Sequence, residues 1–363
     1  MTDTAAELPA EHAVDPATYA ARLTTADLAG TVPEPSDAPP LRWGVLGAGN
    51  IAASFSDGVR DRTAAQVAAV GSRSVDKAQA FADAHAPGAR VHGSYAALVA
   101  DGEVDAVYVA TPHSHHLEHA LLAIEAGKHL LVEKPLTRSV SESRTLLDAA
   151  EAAGVFCMEA VWTRFLPHVA AIRGAIARGE IGEVRTVIAE FDVAFAYDPS
   201  HRLFAPELAG GALLDLGIYP ITFAHDLLGA PDTVLAHGTL AETGVDDHVS
   251  MILGYDGGAQ AILHTSSGAS GGAGARIIGT RGRIEIPQFF FGPTGFEVVP
   301  DDGPSWSFTS PDGEGKAYEA AEVARCLAAG QTQSARMPWS DTLEVMAVLD
   351  EVRAGLGVVY PGE

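Results

Sequence analysis

The stretch GVLGAGNIA, residues 44–52, decides the fold. An apolar run, LRWGVLG (41–47), ends in glycine, and Gly47-x-Gly49-x-x-Ala52 follows at once. Glycines at such a turn let the backbone approach a pyrophosphate. A helix opening at Asn50 and Ile51 would add free amides and the positive end of its dipole. A glycine-rich turn alone says little. Here it follows the first ordered strand and precedes a βαβ pattern, the context a dinucleotide site requires.

Outward from it, strands are predicted at 65–72, 104–111, 129–132 and 155–162, with helices at 76–86, 115–127 and 141–154. Near-continuous apolar strands alternating with helices predict a doubly wound parallel (Rossmann) sheet, covered on both faces, over 41–162. The pattern then changes. In EVRTVIAEFDVAF (183–195), Val187, Ala189, Phe191, Val193 and Phe195 share one face, while Glu190 and Asp192 share the other. Hairpins are expected at 249–265 and 275–287, with helices near 215–228, 316–329 and 339–355. The fold class is therefore α/β, with a C-terminal α+β domain over 163–363 built on a large, open, mainly antiparallel sheet. Its last helix, 339–355, is free to pack back on the first domain. Residues 1–40 form an acidic, Pro/Ala-rich N-terminal extension, read as an arm over a neighbouring surface or as a disordered tail.

The chain has 363 residues and a formal charge of −24, with 47% hydrophobic and 19% charged residues. That charge disfavours nucleic acid and anionic membranes as partners. Two cysteines make no disulfide framework, and the start, MTDTAAELPAEHAVD, has neither the basic nor the apolar region of a leader. No run approaches the ~20 apolar residues of a membrane span. A cytoplasmic protein is expected.

The second strand of such a unit normally ends in an acidic residue that holds the ribose, ~20 residues past the glycines. Here it ends Gly71-Ser72-Arg73-Ser74, with Lys77 one turn further on. Ser72, Arg73 and Lys77 can hold a 2′-phosphate, so the reading is NADP, with NAD as the alternative. The third strand ends ATPHSHHLEH (110–119). Thr111 and Pro112 fit the wall of a cofactor crevice, to which the resemblance named below adds His113 and His116. His115 and His119, four apart, lack a third ligand, so no metal is expected. The fourth strand ends at Glu133-Lys134-Pro135, at the same carboxyl edge, where Lys134 can hydrogen-bond a substrate hydroxyl as hydride leaves its carbon.

These motifs, with GGALLDLGIYP (210–220), resemble the glucose–fructose oxidoreductase and inositol dehydrogenase (Gfo/Idh/MocA) family over about residues 41–355. MEAVWTRFLPH (158–168) and ALLDLGIYPITF (212–223) are similar to its branch of dihydrodiol dehydrogenases and NADP-dependent D-xylose 1-dehydrogenases. Much of the family has histidine where Tyr219 stands. His113 replaces a frequent asparagine. The resemblance implies a site between the two domains, Lys134 and Tyr219 as the catalytic pair, and Trp162 and Arg164 lining the substrate or cofactor site. Asp215 and Tyr219 are four apart and share a helical face. A lysine ammonium ~4 Å from the phenol, at an effective dielectric of ~20, supplies roughly 4 kcal/mol toward lowering its pKa, with desolvation opposing. His201, Arg202 and His264 are weaker candidates, for which core or surface roles are preferred.

The function expected is an NADP-dependent oxidoreductase acting on a sugar, polyol or cyclic diol. Glu133 joins the cofactor set, and Lys134, Trp162, Asp215 and Tyr219 hold substrate. The rivals are an enzyme that recycles a tightly bound nucleotide and a catalytically silent nucleotide sensor. A homodimer or a dimer of dimers is expected through the open sheet.

Overall fold

Trp43, Val45 and Leu46 are fully buried although successive side chains of a strand point to opposite faces. The sheet that holds them must be covered on both sides. The computed structural model describes residues 14–311, 313 and 315–363; expectations for residues 1–13 lie outside the described residues. Two short helices come first, α1 (Pro16–Ala20) and α2 (Thr25–Leu28). Six strands then alternate with helices: β1 (Arg42–Leu46), α3 (Asn50–Arg62), β2 (Gln66–Gly71), α4 (Val75–His85), β3 (Arg90–His92), α5 (Tyr95–Val99), β4 (Ala106–Val109), α6 (His116–Glu125), β5 (His129–Glu133), α7 (Val140–Ala153) and β6 (Cys157–Ala160).

These strands are parallel, in the order β3-β2-β1-β4-β5-β6. The order reverses between β1 and β4, and the crevice outside the carboxyl ends of the strands at such a point is where doubly wound sheets bind ligands. Gly47, Thr111 and Lys134 follow β1, β4 and β5 there.

The second half holds α8 (Pro167–Ala177), β7 (Val184–Asp192), α9 (Ile218–Leu228), β8 (Thr233–Leu240), β9 (Asp246–Gly254), β10 (Gln260–Ser266), β11 (Ala275–Gly279), β12 (Gly282–Ile286), β13 (Gly295–Pro300), β14 (Trp306–Thr309), α10 (Lys316–Ala328) and α11 (Trp339–Leu356). Its sheet has eight strands in the order β14-β13-β12-β11-β7-β10-β9-β8. Every neighbour pair is antiparallel except β7 with β10. Val187, Ala189, Met251, Leu253, Ala261 and Leu263 are buried on its inner face, under α9. The expected alternation holds through Phe191. Val193 and Phe195 lie past the end of β7 and are exposed, so they do not share its buried face.

Two segments depart from the expected domain assignments. Residues 14–40 of the N-terminal arm lie on their own chain. Tyr19 joins the core of the second half, and α1 and α2 pack on α8. Asp27 of α2 is buried and pairs with Arg173 at 3.1 Å and Arg336 at 3.3 Å. Helix α10 covers one face of the parallel sheet, where Tyr318, Ala321 and Ala324 share a core with Trp43, Phe55 and Tyr108. Helix α11 touches α7 on one side and α9 and β8 on the other. Among the described residues, no helix is long and apolar enough to cross a membrane.

Candidate active site

Gly47 leaves β1 with φ 107°, and a Cβ there would stand 2.6 Å from the Ala110 carbonyl oxygen. Both facts require glycine. Gly49 faces open space at the start of α3, and no side chain caps that helix. Its first amides are left for a ligand, and the helix dipole makes an anion the fitting one. Asn50 and Ile51 are exposed beside them. At the end of β2, Ser72 is buried and its Oγ accepts the Ser74 amide at 3.4 Å, while Arg73 and Lys77 are exposed. No carboxylate stands between Gly71 and Val75. The residues present fit a dinucleotide carrying an extra phosphate.

The wall of the crevice comes from the ends of β4 and β5. His116 is buried, with Nδ1 2.9 Å from the Pro135 carbonyl and Nε2 2.8 Å from the Thr111 carbonyl. Burial pushes its pKa down, so the neutral ring donates to one carbonyl at a time and ties the two strand ends together. His119 is 3.0 Å from the Thr111 hydroxyl. The Lys134–Pro135 peptide is cis.

Beyond the crevice three groups converge. The Lys134 ammonium donates to the Asp215 backbone carbonyl and, at 3.1 Å, to its Oδ1; it stands 4.8 Å from the centre of the Tyr219 ring. All three residues are buried. Asp215 lies in a π-helical turn, Leu213–Gly217, that leads into α9, and Tyr219 lies in the first turn of α9. Arg202 donates to the other Asp215 oxygen at 2.9 Å. Burial would push Asp215 up, but Lys134 and Arg202 outweigh it and hold the carboxyl well below the usual range. His113 donates from Nδ1 to the Ala209 carbonyl at 3.2 Å, which leaves its Nε2 lone pair 3.8 Å from Asp215. Burial pushes His113 down to about 3, so it is neutral.

An aromatic wall closes the site. Phe191 stacks on Phe291 with ring centres 4.2 Å apart, and both flank Tyr219, at 5.6 and 5.1 Å. Trp162 is 6.5 Å from Phe291. Of Phe191 and Asp192, it is Phe191 that faces the crevice, while Asp192 lies 3.4 Å from His264 on the other side of β7.

Several expectations need correction. Tyr219 is not brought down: burial, then Glu133 and Asp215, push its phenol well up, and Trp162 opposes weakly. Lys134 gives two of its three N–H bonds to Asp215 and sits over the ring face, not at the phenol. Glu133 does not face the crevice; it is buried against Tyr108 and Lys316. Arg164 is absent from the site as well. It is buried and donates to Asp341 at 2.5 Å, to the Arg336 carbonyl at 3.2 Å and to His225 Nδ1 at 3.0 Å, bracing α9 against α11. His201 packs on Phe195 and Phe204. Among the described residues, His225, Asp341 and Glu344 alone approach metal-ligand spacing, and the Arg164 cation already stands among them. Sequence reasoning ranked Arg202 too low and missed Phe291 and Lys316. The run of three phenylalanines at 289–291 was the available signal for Phe291.

Comparison with known proteins gives the same outline. Residues 41–161 match an oxidoreductase family with an NAD-binding Rossmann fold, and residues 169–285 match the GFO/IDH/MocA C-terminal domain. The chain is 38% identical to trans-1,2-dihydrobenzene-1,2-diol dehydrogenase of Danio rerio, over 88% of this chain and 98% of that one. It is 35% identical to D-xylose 1-dehydrogenase (NADP(+)) of Hypocrea jecorina, over 88% and 93%. A 3-ketoreductase from Actinomadura kijaniata, solved with NADP, superposes with a TM-score of 0.73 at 27% identity, over 87% of this chain and 98% of that one. A levoglucosan dehydrogenase, at 22% identity and TM-score 0.79, shares the fold over 88% and 98%. Both halves of the chain are those of a GFO/IDH/MocA oxidoreductase, the family to which this chain belongs.

Proposed function

We propose that the chain is an NADP-dependent dehydrogenase that works on a CH–OH group of a sugar, a related polyol or a cyclic diol, with Lys134, Asp215 and Tyr219 as its reacting constellation. The convergence of a buried ammonium, carboxylate and phenol beside the dinucleotide crevice carries this reading. When bound, the nicotinamide supplies the hydride acceptor, or the donor in reverse. Gly47, Gly49 and the first amides of α3 hold pyrophosphate, while Ser72 and Arg73, with Lys77, hold the 2′-phosphate. Thr111, Pro112, His113 and His116 form the wall beside the ring. NADP dependence in the D-xylose enzyme and NADP in the ketoreductase structure support the choice of nucleotide.

Lys134 holds the oxygen of the reacting group and stabilises negative charge on it. Asp215, kept ionised by Lys134 and Arg202, fixes that ammonium in place. Tyr219 exchanges the proton. Its raised pKa makes the neutral phenol the resting form, ready to protonate an alkoxide as a carbonyl is reduced. In oxidation the phenol must lose its proton first, and the ammonium 4.8 Å from its ring offsets that charge. Phe191, Phe291 and Trp162 offer flat apolar surface that suits the C–H face of a pyranose or an arene diol. The names of the relatives, a diol and a sugar dehydrogenase, point to the same two classes.

The test is turnover of aldoses, inositols and trans-dihydrodiols with NADP and with NAD. Lys134→Ala and Tyr219→Phe should each lower kcat by about a hundredfold or more while still binding NADPH. Near-normal turnover in either would remove it from the mechanism.

The open face of the second sheet carries an aliphatic row, Leu235, Ile252, Ile262 and Ile188, in register across four strands. Leu235 is 65% exposed and Ile262 44%. Arg276 and Glu285 flank it as an ion pair. A row bordered by both charges is complementary to itself under a two-fold axis, so the reading is a homodimer, or a dimer of dimers, through this face. Cys157 and Cys326 are buried free thiols, which suits the reducing cytoplasm.

A further inference from the structure

Glu133 and Lys134 are neighbours, yet their side chains part: Lys134 reaches Asp215, while Glu133 turns to Tyr108 and to Lys316 at the start of α10. Glu133 is buried. Its Oε1 accepts from the Tyr108 hydroxyl and from the Lys316 ammonium at 3.2 Å, and its Oε2 accepts the Lys134 amide at 3.2 Å. A buried carboxylate needs a cation. Lys316 is itself buried, and its ammonium also stands 5.0 Å from the centre of the Trp162 ring, a face that favours a cation. The second acid nearby, Glu319, is 3.6 Å from Lys316, and neither of its oxygens accepts a hydrogen bond. Burial pushes the Glu319 carboxyl up, with Lys316 opposing it, so Glu319 competes less than Glu133 for the Lys316 charge.

We propose that Lys316 is a positioning residue: from α10 its ammonium neutralises Glu133 and so leaves the Lys134 ammonium to Asp215, Tyr219 and the substrate oxygen. This rests on Lys134 and Tyr219 being the catalytic pair. Without Lys316, the nearest cation to Glu133 is Lys134, whose amide that carboxylate already holds. Among the described residues, no other group facing the pocket replaces it. His113 and His116 are neutral, and Arg202 is engaged by Asp215. The uncompensated carboxylate would also act on Tyr219, where Glu133 stands next after burial among the causes that hold the phenol up.

Purified full-length variants are assayed with NADP and the best substrate of the panel. Lys316→Met should lower kcat about tenfold or more, keep KM for NADP within about threefold, and move the rising limb of the kcat profile, below which the phenol keeps its proton, up by about one pH unit. Lys316→Arg should keep that limb in place. Lys316→Met with Glu133→Gln removes both charges and should recover kcat to within about fivefold of the parent. An unchanged kcat and limb in Lys316→Met would overturn the proposal, and so would a double variant as slow as the single one. If Lys316→Met does not fold, the double variant decides alone. Turnover within that range supports the proposal; a slow enzyme, or one that also fails to fold, sinks it, because only the charge pair has been removed. Lys134→Ala, run in parallel, reads the catalytic pair separately: full turnover there defeats the pair whatever the Lys316 variants do.

Discussion

Arg73 follows directly after Ser72, at the strand end where a dinucleotide site with a free ribose would present an acid. It is exposed and, by the reading above, has a phosphate to meet. Arg73→Ala should raise KM for NADP about tenfold or more and leave NAD kinetics within about twofold, since a charge-assisted bond is worth roughly 1.5–3 kcal/mol. Equal losses with both nucleotides would show that Arg73 does not read the phosphate. At this scale the sequence was legible where a residue type is dictated by its own backbone or ligand. Gly47 is such a case, since its φ and its distance to Ala110 both exclude a side chain. Legibility failed where direction decides. Glu133 and Lys134 are adjacent letters, and nothing in them says that one turns into the core and the other into the crevice. The family resemblance put Arg164 at the site, yet its guanidinium serves Asp341 and His225, which are far along the chain.

Among elements, the central strands were the easiest to place, because β1, β4 and β5 are apolar throughout and must be covered on both faces. The short β3, with no fully buried residue, offers no such run. The π-helical turn at Leu213–Gly217 carries no compositional mark either, though it brings Asp215 to Lys134. The N-terminal arm was left between two readings for a related reason. Its composition is that of a linker, and its attachment rests on single residues, Tyr19 in the core and Asp27 between Arg173 and Arg336. Asp27→Ala removes this partner from Arg336 and leaves Arg173 to Asp226 alone, and should cost about 1–3 kcal/mol. A melting temperature equal to that of the parent would mean that the arm contributes nothing to stability.

For the whole molecule, the open sheet face makes the clearest prediction. Ile262→Lys places a charge in the aliphatic row without touching the inner core, because Ile262 points away from buried Leu263 and Ala261. Sedimentation equilibrium should find the parent at a multiple of the 37.6 kDa chain mass and the variant at that mass. A parent that already sediments as a single chain would end the dimer reading. Helix α11 has a consequence of another kind. It is fastened to α7 and to α9 together, Trp339 donates its indole N–H to the Cys157 carbonyl at 2.8 Å, and Tyr360 just beyond donates its hydroxyl to the Gly210 carbonyl at 2.6 Å. Swinging the halves apart like a jaw would peel that fastening from one of them. Any widening of the slot between them therefore has to break at least one of those bonds.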